Sequence, residues 1–167
     1  MSTTANKNTN KNTTANKNTN SIKLSDVRKA CRNVASFNND LTLASADDVK
    51  IVKQLKKDIE HKNFNIVCKD STLCSFFIVD DNKNTVCNVY DTLRIQFTTT
   101  QAKKYKDLLM KDSKNRFYEH VYHNNTFISC KCSTYAELLD AFSFIYNNVY
   151  NVKATATETT ATAQKAK

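Results

Sequence analysis

No glycine and no proline occurs anywhere in these 167 residues, which restricts both the turns the chain can make and the chemistry it can host. Average usage, about 7% Gly and 5% Pro, would supply roughly a dozen and eight. Glycine is the residue that takes positive φ freely and lets backbone press against a phosphate. Its absence excludes a Walker loop, a dinucleotide-binding G-x-G-x-x-G and a G-x-S-x-G nucleophile elbow. Asparagine tolerates the left-handed region better than other non-glycine residues. Turns are therefore expected at Asn38-Asn39, Asn82-Lys83-Asn84 and Asn124-Asn125. The abundance of Asn, Lys, Ile, Phe and Tyr fits AT-rich coding, although alanine, a GC-coded residue, is used freely in both flanks.

The length suits one domain. Residues 1–20 form a polar tract in which Thr3 to Asn10 recurs intact as Thr13 to Asn20. No side chain there is large and apolar enough to offset the entropy of ordering, so the tract is expected to be disordered. The Ala/Thr/Lys stretch 153–167 reads the same way, leaving residues 21–152 as the folded unit. Of the formal net charge of +9, only +4 belongs to residues 21–150. Basic flanks around a mildly basic body suit a polyanionic partner, and they also suit simple solubility.

The N-terminus lacks an apolar signal region, and the longest aliphatic or aromatic run, Phe76 to Val79, is far short of a bilayer span. We expect a protein that is not secreted, has no membrane partner, and is cytoplasmic or nuclear in its host cell. The AT-rich usage and the duplicated tract suit a large DNA virus or a mobile element. In a reducing compartment the six cysteines are expected to be free thiols packed as small hydrophobes.

Hydrophobic periodicity predicts a first helix over 25–36, on Val27, Ala30, Cys31 and Val34. A second follows Ser45, a capping hydroxyl, with Val49, Val52, Leu55 and Ile59 inward. Alternation at Phe64, Ile66 and Cys68 predicts a strand. The segments 73–80 and 85–90 read as a hairpin, and 92–98 as a strand with Arg94, Gln96 and Thr98 on one side. A helix over 100–112 and a second hairpin, 116–123 with 126–133, come next. Thr134 with Glu137 forms a capping box that opens the most apolar helix of the chain. The expected fold class is α+β: an antiparallel sheet built from two hairpins, with helices packed on one or both faces.

His120, His123, Cys130 and Cys132 have the chemistry of a zinc site. A two-residue turn at Asn124-Asn125 would pair Val121 with Ile128 and Glu119 with Cys130. His120 would then face away from the thiols, and Cys132 would lie about 20 Å from His123. No metal and no cofactor is expected. The same hairpin puts Phe117, Val121, Ile128, Cys130 and Cys132 on a core face, with Glu119 a misfit. Tyr118, His120, Tyr122, Phe127, Ser129 and Lys131 share the other face, either a stacking platform for single-stranded nucleic acid or a second core surface.

No His, Cys or Ser stands in a pattern that suggests nucleophilic catalysis. The leading expectation is a non-enzymatic nucleic-acid-binding protein that prefers single strands. Tyr118, Tyr122 and Phe127 would stack bases, and Lys131, Arg94, Lys103 and Lys104 would contact phosphates. The alternative is a structural or host-interaction protein with no nucleic-acid role. A homo-oligomer and a host-protein partner are both left open.

Overall fold

The computed structural model describes residues 22–61, 64–70, 74–90 and 94–150. The two flanking tracts expected to be disordered lie outside the described residues. Six strands form one antiparallel sheet in the order β1-β2-β3-β4-β6-β5, accompanied by four helices, an α+β architecture. The strands are β1 (Asn65–Cys68), β2 (Cys74–Val79), β3 (Thr85–Tyr90), β4 (Arg94–Phe97), β5 (Phe117–Tyr122) and β6 (Asn125–Lys131). The helices are α1 (Leu24–Ser36), α2 (Ala46–Ile59), α3 (Thr99–Leu109) and α4 (Tyr135–Ile145), the last continued by a π-helical turn, Tyr146–Tyr150.

Helix ends follow the capping chemistry of the sequence. The Ser45 hydroxyl accepts the Asp48 N–H at 3.2 Å, and the Thr134 hydroxyl accepts the Glu137 N–H at 3.2 Å. Glu137 reaches past the cap itself to the Ser133 N–H, at 2.6 Å. α1 ends where Asn38 and Asn39 turn to φ 54° and 65°. Asn39 does more there than glycine could. Its side-chain amide donates to the Cys68 carbonyl at 3.2 Å and accepts the Cys68 N–H at 2.8 Å, pairing with the outer strand β1 as a neighbouring backbone would.

One hydrophobic core holds the helices to a single face of the sheet. Val27, Val34, Leu55, Ile59, Leu138 and Ile145 of the helices belong to the same buried cluster as Phe76, Ile78, Ile95, Phe97 and Ile128 of the strands. The alternate strand residues Val67, Phe77, Tyr90, Tyr118 and Phe127 are absent from that cluster and from its partly buried fringe. Since successive strand side chains point to opposite faces, all four helices lie on one side. Among the described residues, the opposite face has no helix over it.

The second hairpin differs from expectation by one turn position. Its two-residue turn is His123-Asn124, with φ 46° and 61°, the pair of positive values a type I′ turn requires. Asn125 is instead the first residue of β6. The pairing consequently slips by two residues, to Phe117↔Cys130 and Glu119↔Ile128. A two-residue slip keeps every side chain on its face. It seats Phe117 against Phe97 and Phe144, with ring centroids 6.4 and 5.6 Å away. Val121, expected in the core, lies at the hairpin tip beyond the helices and is 67% exposed. Glu119, on the helix side, is neutralised by Lys106 of α3 at 2.5 Å. In the first hairpin Lys83, at φ 62°, takes the left-handed position rather than either neighbouring Asn.

Candidate nucleic-acid interface

Strand register turns the helix-free face into ordered rows. The central row runs Val67, Phe77, Asn88, Gln96, Ser129, Tyr118 across all six strands. Beside it His120 pairs with Phe127, and on the other side Arg94 pairs with Lys131. Aromatic rings thus stand at both ends of a polar middle. The His120 ring stacks on Phe127 at 5.6 Å and 24°, and lies 5.7 Å from Tyr118. Tyr118 is 37% exposed and Tyr122, at the hairpin tip, 65%. Planar faces available to solvent on rigid strands are what base stacking uses.

Among the described residues, the charge that the strands place on this face has one sign. Lys69 sits 5.1 Å from the Phe77 ring centroid, and the Arg94 guanidinium 5.1 Å from that of Tyr90. Lys131 is exposed. Glu119 is the single carboxylate within the six strands, and it faces the helices. No strand therefore offers an anion to compete with phosphate on the helix-free side, where Lys69 and Arg94 stand beside aromatic rings.

Among the residues expected to contact nucleic acid, the fold brings Arg94, Tyr118, Tyr122, Phe127 and Lys131 together on this face. It does not bring Lys103 and Lys104 there. Both are exposed on α3, in the helical layer across the sheet, with Lys104 Nζ 5.2 Å from the Tyr105 ring centroid. Sequence reasoning left out Lys69, Phe77, Asn88 and Tyr90. Alternation within each strand carries their orientation, but only the strand order, with β4 between β3 and β6, sets them in rows with the hairpin.

The thiols belong to the other side. Cys31, Cys68, Cys87, Cys130 and Cys132 are buried and Cys74 is half-buried; all six are free. The Cys130 and Cys132 sulfurs are 3.9 Å apart. Cys130 lies in the core and His120 on the helix-free face, so sheet thickness separates the groups that a zinc site would need to join. His61, at the end of α2, stacks on Tyr146 at 3.9 Å. Among the described residues, no group of three or more His, Cys, Asp or Glu is placed to hold a metal ion, and no helix is long and apolar enough to cross a membrane.

What this arrangement can do is stack planar groups, attract a polyanion and hydrogen-bond at its centre. In comparisons with known proteins, no family model, no curated protein and no solved structure matches the chain.

Proposed function

We propose that the helix-free face binds single-stranded nucleic acid without carrying out chemistry on it. One observation carries this: Tyr118, His120, Tyr122 and Phe127 share a sheet face with Lys69, Arg94 and Lys131, and no strand carboxylate shares it. Bases would stack on the rings while phosphates run along the cations. A duplex hides its base faces, so the single strand is the preferred substrate. The exposed tip residues Val121 and Tyr122 favour a second reading, contact with a protein partner and no nucleic-acid role. The one-signed charge behind the tip favours the first.

Fluorescence anisotropy across a salt series tests it, using single- and double-stranded oligonucleotides of equal length. Single strands should bind more tightly, with log K falling against log salt by about 0.7 per phosphate contacted. Tyr122→Ala should weaken binding roughly 5- to 150-fold, the worth of one stacked base, with no change in melting temperature. Lys131→Ala should shallow the salt slope by about 0.7. An absence of salt-dependent binding by the parent chain would sink the proposal.

A further inference from the structure

The two edges of the sheet are finished in opposite ways. At the β1 edge, the Lys69 N–H donates to the Ser75 carbonyl across the strand pair, so by alternation the main-chain groups of Ile66 and Cys68 point outward. Side chains occupy them. Asn39 bonds both the N–H and the carbonyl of Cys68. Glu60, held by Lys56, accepts the Ile66 N–H at 3.0 Å. An edge covered in this way is closed to another strand.

The β5 edge has no such cover. The type I′ turn makes Tyr122 and Asn125 a hydrogen-bonded pair. Tyr118, His120 and Tyr122 therefore bond to β6, while Phe117, Glu119 and Val121 direct their N–H and carbonyl groups outward. Among the described residues, no other strand and no side chain bonds to those groups. Exposed edges are commonly guarded by Lys or Pro. The chain holds 25 Lys and Arg, yet β5 holds none, and its one carboxylate, Glu119, is neutralised by Lys106. In a chain of net charge +9, β5 is an open edge on which two copies can meet without setting strand cation against strand cation.

We infer that β5 pairs antiparallel with β5 of a second copy of the chain, joining two sheets into one. The two-fold axis of such a pair is normal to the sheet and keeps every residue on its own face, so outward-bonding residues pair with one another. Setting Glu119 opposite Glu119 would place like charges in register, which is destabilising. One step further, Glu119 and Val121 of one copy pair with Val121 and Glu119 of the other. His120 then meets His120, and Tyr118 meets Tyr122. A further step would draw in His123 and Asn124, whose positive φ takes them out of strand geometry. In the chosen register the exposed rings of Tyr118 and Tyr122 become cross-strand aromatic pairs. The helix-free faces of the two copies also become one surface, although the pairing does not depend on what that surface binds.

Sedimentation equilibrium of the full chain tests this, from about 1 μM to about 1 mM, the affinity range of small interfaces. The mass should rise from one chain to two. Val121→Glu faces Glu119 of the other copy and should weaken association about fivefold or more. Val121→Lys faces the same carboxylate and should associate more tightly than Val121→Glu, the reverse of what overall repulsion between two basic chains would give. Both substitutions fall at the exposed hairpin tip, where the fold tolerates them. Val121→Pro removes an outward N–H that the hairpin does not use, and it should weaken association as well. Amide hydrogen exchange at Glu119 and Val121 should slow as concentration rises, while Tyr118 and His120, already bonded to β6, change little. A mass of one chain throughout would overturn the pairing. So would association that the glutamate and lysine variants leave equally strong, which would put the contact on another surface. Neither outcome bears on the single-strand proposal, which the oligonucleotide titrations decide.

Discussion

Asp112 and Gln96 are nearly equally buried, at 4% and 7% exposure, and the molecule treats them in opposite ways. Asp112 follows α3 on the helical side. It accepts the backbone N–H groups of Lys114 and Arg116, at 3.4 and 3.1 Å, and two bonds from the Arg116 guanidinium, at 2.8 and 3.0 Å. Asp48 on α2 is served in the same way by Asn33 and Ser45, at 2.9 and 2.7 Å. Across the sheet, Gln96 Oε1 and Ser129 Oγ accept nothing. The helical side is therefore organised for stability, with its buried acids fully bonded. The helix-free side retains polar atoms that the fold leaves unbonded, which is where a ligand has something to gain.

The largest expected effect separates the two faces by one aromatic deletion on each. Phe97 is fully buried under the helices, so Phe97→Ala should cost about 3–5 kcal/mol. Phe127 is half-buried on the helix-free face, and Phe127→Ala should cost no more than about 1 kcal/mol. Urea denaturation of both variants measures the difference. Similar losses would mean that the helix-free face is packed in solution, and the contrast between the faces would break.

Asp112→Asn sharpens the same contrast from the polar side. It weakens charge-assisted bonds to Arg116, and the expected loss is about 2 kcal/mol. Those hydrogen bonds from Arg116 hold the Asp112 carboxyl below its ordinary value, and bonds from Asn33 and Ser45 do the same for Asp48. A depressed folded-state pKa contributes stability above the unfolded value that is lost as pH falls through the folded one. Parent stability should therefore decline below about pH 4, and the decline should be shallower in Asp112→Asn. An unchanged acid limb in the variant would show that Asp112 is not one of the groups responsible.

The contrast between the faces was partly legible in the residues. Local chemistry set the elements: Ser45 and Thr134 cap the helices they were expected to cap, and the spacing of Val27, Ala30, Cys31 and Val34 identifies the buried stripe of α1. Alternation set the two faces of β5 and β6, and they survived a misplaced turn because the slip was two residues. Two things were hidden. The turn settles at His123-Asn124 because that register seats Phe117 in the core, a tertiary gain that no local pattern encodes. The strand order that makes Gln96 a neighbour of Ser129 joins segments more than thirty positions apart, and a single sequence carries no signal of that pairing.

The smallest expected effect concerns Val121, whose place in the alternation is that of a core residue. It shares a face with Phe117, yet the helices end short of the hairpin tip and leave it 67% exposed. Val→Thr substitution isolates burial, because it exchanges a methyl for a hydroxyl and keeps the β-branch that strands favour. Val89, fully buried on β3, should lose about 1–3 kcal/mol as Val89→Thr, since the new hydroxyl has no partner there. In dilute protein, where β5 is unpaired, Val121→Thr should change stability by less than about 0.5 kcal/mol. If the two substitutions cost the same there, the tip is covered within the chain itself. A midpoint of unfolding that rises with protein concentration would instead identify the cover as a second copy of the chain, paired along the edge of β5.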